Sequence, residues 1–267
     1  MLLANARMYS VTEDVKRAWN EVLRWALERA GLPPVEVIDW DVPAPLSELW
    51  TRADLACAMM CGLTYALREP RPTLLAAPVP SPMRYQRRPV YFTDIVVHAD
   101  ASFESLEDTF GGVVGYTLED SMSGCIALRR YLVGWRPSGR RRLYRKAVGG
   151  LMTPRKIVEA LQAGAIDVGP LDSYYHDLLR RNDPVLAASV RVVATTPAAP
   201  IPPLVATAPL TPRQIERLRA TLQAVEAAPE LKPQRETLLL AEFVVPRPAD
   251  YDEFKAIVAA SNDATAW

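Results

Sequence analysis

Apolar positions along this chain follow two periods. Val15, Ala18, Trp19, Val22, Ala26 and Ala30 recur at helical spacing. Thr12 stands ahead of them as an N-cap, Glu13 and Asp14 fill the first turn, and Gly31 with Pro33 and Pro34 ends the pattern. The same grammar predicts helices from the 121–124 segment to about residue 135, over 154–161 behind a Thr153-Pro154 start, over 173–181, beyond Thr211-Pro212, and over 250–260. Between them stand short continuous apolar runs at residues 35–40, 54–60, 74–79, 91–98, 112–116, 165–171, 190–196 and 204–207. Continuous rather than alternating runs, interleaved with helices, predict mostly parallel sheets covered on both faces, which is an α/β fold.

Proline divides this pattern. The chain has 24 prolines against 12 glycines in 267 residues. Pro78, Pro80, Pro82 and Pro89 form one cluster; Pro197, Pro200, Pro202, Pro203, Pro209 and Pro212 form another. Proline fixes φ and stiffens connectors. Two stiff connectors bracketing a middle segment predict a chain that leaves a first lobe once and returns once. The expected organisation is lobe 1 over 1–90, lobe 2 over 91–198, and a return to lobe 1 over 199–267, with two crossover hinge strands and a ligand cleft at the seam.

Charge narrows the functions. Lys plus Arg and Asp plus Glu are 31 each, so no global field recruits nucleic acid or an anionic membrane. The one basic run, Arg136 to Arg142 with Arg145 and Lys146 beyond, reads as a solvated loop. Cys57, Cys61 and Cys125 form no metal cluster with His98 or His176 and read as small buried hydrophobes. Both histidines read as core or surface residues. The six tryptophans, Trp19, Trp25, Trp40, Trp50, Trp135 and Trp267, read as core or lobe surface rather than a ligand cage. No stretch is long enough to cross a bilayer, and the opening residues are too short for a secretory signal. The location is therefore periplasmic if a signal has been removed and cytoplasmic otherwise.

The chemistry concentrates in Asp120-Ser121-Met122-Ser123-Gly124, which directly precedes an apolar helical pattern. First-turn amides have no partner within a helix, and the helix dipole adds positive potential there. Ser121 and Ser123 bring further donors and Gly124 allows close approach, so the turn reads either as a capped helix start or as an anion site.

Four segments together resemble the phosphate, phosphite and phosphonate substrate-binding proteins of ABC importers, within the type 2 periplasmic-binding-protein fold. They are the opening strand ending Met8-Tyr9-Ser10, the run Met59-Met60-Cys61-Gly62-Leu63-Thr64-Tyr65, the serine turn, and Ala163 to Ser173 through Gly169-Pro170-Leu171-Asp172. The resemblance implies a small anionic ligand gripped by Ser121, Met122, Ser123 and Gly124, contacted by Asp172, and walled by Tyr9, Gly62 and Tyr65. An ionised Asp172 favours a zwitterionic or partly protonated ligand, and the same residue reads equally as the N-cap of the helix beginning at Ser173. Where many relatives carry Gly-Ser-His, this chain has Gly149-Gly150-Leu151-Met152-Thr153, a departure that bears on the ligand more than on the fold.

The expectation is thus a solute-binding protein, not an enzyme, monomeric and without metal or organic cofactor, serving an ABC permease. Two alternatives share the fold: a cytoplasmic lyase resembling menaquinone-pathway enzymes, and a ligand-sensing partner protein.

Overall fold

The computed structural model describes residues 1–135, 142–261 and 267; the basic run from Arg136 lies outside them except for Arg142. The chain forms two compact units, one of Met1–Val90 with Pro200–Tyr251 and one of Tyr91–Ala199 with Asp252–Trp267.

The first unit opens with β1 (Leu2–Asn5), α1 (Glu13–Ala30), β2 (Val35–Val37), α2 (Leu46–Thr51), β3 (Leu55–Met59), α3 (Gly62–Leu67) and β4 (Thr73–Pro80). The α1 start is set as the sequence indicates: Thr12 Oγ1 accepts from the Val15 amide at 3.3 Å, and Gly31 ends the helix at φ +60°. Two short strands, β5 (Val90–Tyr91) and, much later, one over Ala199–Pro200, carry the chain between units and pair with each other.

The second unit contains β6 (Thr93–His98), β7 (Val113–Gly115), a five-residue π-helix (Met122–Ile126) continuing into α4 (Ala127–Val133), β8 (Lys146–Val148), α5 (Pro154–Gln162), β9 (Gly169–Asp172), α6 (Ser173–Asn182), α7 (Pro184–Ala187) and β10 (Val190–Thr195). The returning connector is β11 (Ala199–Pro200). The first unit then resumes with β12 (Leu204–Ala206), α8 (Pro212–Gln223), α9 (Lys232–Thr237) and β13 (Leu240–Val244). A last helix, α10 (Glu253–Ser261), belongs with the second unit. The sequence pattern assigns that helix to the first lobe, but its contacts are with α4 and the π-helix. Fully buried Phe254 anchors it, and the preceding Tyr251 stays with the first unit through a 3.0 Å bond to the Ile201 carbonyl.

The six-stranded sheet is mixed and the three-stranded sheet of the second unit is antiparallel, where the apolar runs predict mostly parallel ones. The six-stranded sheet has the order β13-β4-β12-β3-β1-β2; β1 runs parallel to β2 and β3, while β12 is antiparallel to both of its neighbours and β13 to β4. In the second unit β6 lies antiparallel between β10 and β9, and β7 pairs parallel with β8. Continuous apolar runs report burial on both faces, whereas a strand arriving from another unit needs no crossover helix and enters in either direction. The first unit's core centres on Trp19, Leu23, Leu55 and Phe243, all at most 2 % exposed. Ile95, Val97, Val114, Leu128, Leu132 and Val168 form the second unit's core, with helix and sheet residues interleaved.

Candidate anion-binding site

The second unit gathers its polar buried residues where β6 begins. Thr93 pairs with Asp172 in the antiparallel register, so the start of β6 and the end of β9 coincide. The Thr93 hydroxyl also reaches the Ser123 carbonyl at 3.4 Å, which brings the serine turn to the same edge.

The turn itself is a capped helix start. Ser121 is the N-cap, its Oγ accepting from the Gly124 amide at 3.1 Å, which leaves the hydroxyl proton for another acceptor. The first turn is wound as a π-helix: the Ile126 amide donates to the Ser121 carbonyl at 3.1 Å and the Ala127 amide to Met122. Such widened turns are frequent at functional sites. Among the described residues the amides of Met122 and Ser123 meet no acceptor, so two donors and the dipole of residues 122–133 point out of the helix start. Thr117, 3 % exposed, closes the turn from behind by donating its amide to the Gly124 carbonyl at 3.0 Å. Its hydroxyl occupies the space that a side chain at Gly124 would need, which is why glycine stands there. The set can bind an oxyanion by neutral hydrogen bonds.

Asp172 is 5 % exposed and caps α6, its Oδ1 accepting from the Tyr174 amide at 2.9 Å and the Tyr175 amide at 3.1 Å. The capping reading of Asp172 is therefore realised. Ser173 fixes the neighbouring connector, exchanging bonds with Phe92 at 2.8 and 2.9 Å. Below this edge, His176 Nδ1 lies 2.9 Å from Asp94 Oδ2, with both side chains fully buried, and Thr195 donates to Asp94 Oδ1 at 3.1 Å. His98 sits at the opposite end of β6, its Nδ1 accepting from the Asp100 amide.

In the first unit, Tyr9, Gly62 and Tyr65 all follow the ends of parallel strands. Tyr9 closes the short 3₁₀ turn after β1, and Gly62 and Tyr65 lie in α3 after β3. Both tyrosines are 1 % exposed. Tyr65 packs edge-on against Tyr251 at 5.1 Å with the Arg71 guanidinium 5.4 Å from its ring.

Thr93 and Thr117 escape sequence reasoning. Each lies in a strand or just after one, where threonine is common, and only the fold reveals that they face the turn. The cysteines are free, with Cys57 and Cys125 buried. Burial pushes both thiols up to about 12, far from the thiolate state needed for reactivity. No group of metal-binding side chains occurs among the described residues, and no described helix is long and apolar enough to cross a membrane.

A family model for periplasmic phosphonate substrate-binding proteins of ABC transporters matches residues 14–251. No curated protein sequence matches the chain. Among solved structures, a binding-protein component of an ABC phosphonate transporter from Pseudomonas aeruginosa is similar over 98 % of this chain and 87 % of its own, at 16 % identity and TM-score 0.79. PhnD1 from Prochlorococcus marinus in complex with methylphosphonate is similar over 98 % of both chains, at 15 % identity and TM-score 0.76. An ATP-bound protein from Xanthomonas citri covers 99 % of this chain and 98 % of its own at 18 % identity and TM-score 0.67. At these identities the likeness is one of fold.

Proposed function

This chain belongs to the periplasmic substrate-binding family of phosphonate ABC transporters, and from that premise we propose that its second unit captures the oxyanion head of a phosphonate through the Ser121–Gly124 turn and hands it unchanged to an ABC permease. The observation that carries the reading is the turn: the Met122 and Ser123 amides, the Ser121 and Ser123 hydroxyls and a helix dipole share one helix start, a set of neutral donors. Neutral donors suit a carrier, because they bind an anion selectively yet release it without breaking an ion pair.

Asp172 extends the proposal to the ligand's other groups. A carboxylate beside an oxyanion repels a full dianion and favours a monoanion or a ligand carrying an ammonium. The fold does not fix the organic part of the cargo, since similar structures hold methylphosphonate in one case and ATP in another. Carriage without turnover is supported by the histidines, one locked in the core against Asp94 and the other at the far end of β6, leaving no imidazole at the turn to serve as general acid or base.

Calorimetry with methylphosphonate, aminoethylphosphonate, phosphate and sulfate tests the binding, and phosphorus NMR of the recovered ligand tests the absence of turnover. Saturable one-to-one binding of a phosphonate recovered intact is expected. Conversion of the ligand, or preference for sulfate over every phosphorus anion, overturns the reading.

A further inference from the structure

A cluster of side chains links the residues that flank the serine turn in sequence. Tyr116, immediately before Thr117, stacks on Trp267 with centroids 5.1 Å apart and ring planes 12° from parallel. The Arg129 guanidinium lies 4.8 Å from the Trp267 ring and 5.5 Å from the Tyr116 ring. Glu119 completes the cluster, accepting from the Tyr116 hydroxyl at 3.2 Å and lying 3.9 Å from the Arg129 guanidinium. Tyr116 and Arg129 are thus the two ends of one chain segment, residues 116–129, and the turn is its middle. Gly149 leaves no room for a side chain against the Tyr116 ring, which fixes that end further. Behind the segment, α10 packs on both the π-helix and α4.

We infer that Trp267 is a positioning residue for anion binding: by stacking on Tyr116 and receiving Arg129 on its ring, it pins both ends of the 116–129 segment and so sets the direction of the turn's amides. The inference rests on the reading of that turn as the anion site. Pinning matters because the outward donors gain affinity only when they are already aimed, and a free segment must be ordered at the expense of binding. Aromatic stacking and cation–π contact supply the hold. Trp267 Nε1 is buried without an acceptor among the described residues, so the ring serves through its face and not through its N–H.

The test compares Trp267→Ala and Trp267→Phe by calorimetry with methylphosphonate and with inorganic phosphate, beside Ser123→Ala as a control for the turn. Trp267→Ala is expected to weaken binding about tenfold and to speed amide hydrogen exchange across 122–126, while Trp267→Phe, keeping the stack, stays within about threefold of the parent. If Trp267→Ala lowers thermal stability but leaves affinity and exchange at the turn unchanged, the residue is only a packing element and the inference falls. Tighter binding by Trp267→Ala overturns it as well. Unchanged affinity in Ser123→Ala identifies failure of the turn assignment itself.

Discussion

Thr117 and Gly124 are fitted to each other: the threonine amide holds the glycine carbonyl at 3.0 Å, and the threonine hydroxyl fills the position of the missing glycine side chain. The fit determines where the turn's amides point, because Gly124 lies within the π-helical first turn.

Gly124→Ala is therefore expected to weaken phosphonate binding by about 1–3 kcal/mol, the scale of overpacking a tight site. The added methyl meets Thr117 Oγ1 and Ser121 Oγ, which are the groups that shape the turn. Thr117→Ala in the same chain removes the first obstacle and is expected to restore part of the affinity. Calorimetry on the single and double variants checks this, and equal affinity for Gly124→Ala and parent would show that the turn does not hold the ligand.

Ser121 and Ser123 separate stability from binding. Ser121 caps the helix through the Gly124 amide, so Ser121→Ala is expected to cost about 1 kcal/mol of stability as well as affinity. The Ser123 side chain makes no bond among the described residues, so Ser123→Ala is expected to leave unfolding unchanged and weaken the anion by about 1–2 kcal/mol, one hydrogen bond to a charged group. Paired thermal melts and calorimetry distinguish them; identical behaviour of the two variants in both measurements contradicts the assigned roles.

Asp172 carries two consequences of one carboxylate. Asp172→Asn keeps an oxygen for the Tyr174 and Tyr175 amides, whereas Asp172→Ala removes the cap and is expected to cost about 1–2 kcal/mol of stability. Loss of the negative charge in Asp172→Asn is expected to favour phosphate relative to aminoethylphosphonate when the two affinities are compared by titration. A ratio that does not move would place the carboxylate's charge out of reach of the ligand.

The sequence made most of this legible where local rules dominate. Thr12, Thr153 and Thr211 cap their helices as their positions indicate, the last with Gln214 in a reciprocal capping box. The Ser121 helix start and the Asp172 cap are likewise local features. What escaped depends on tertiary pairing. The strands β8 and β13 are short or polar, with Lys146 and Glu242 inside them, and exist because β7 and β4 offer an edge. The placement of α10 escaped because an amphipathic pattern states that a face is buried but not against which partner. Thr93 and Thr117 escaped for the same reason: a threonine in a strand context becomes a site residue only when a turn from elsewhere is laid against it.

Alkaline stability tests the buried thiols. Desolvation alone pushes Cys57 in β3 from its usual value of 9.0 up to about 12. In the unfolded chain the thiol ionises from about pH 9, while in the folded unit it stays protonated to about pH 12. Across that window the folded state binds the extra proton, so stability is intact below pH 9 and declines as pH rises. At pH 10.5 one such group is expected to remove about 2 kcal/mol. Cys57→Ala starts less stable at pH 7 because it loses buried volume, yet it has no thiol to ionise. Urea unfolding of both proteins at pH 7, 9 and 10.5 should therefore show the gap between them narrowing by about 2 kcal/mol at the highest pH. A constant gap would assign the alkaline loss to other buried acids, of which Cys125 and Tyr144, both raised to about 12 chiefly by burial, are the next to substitute.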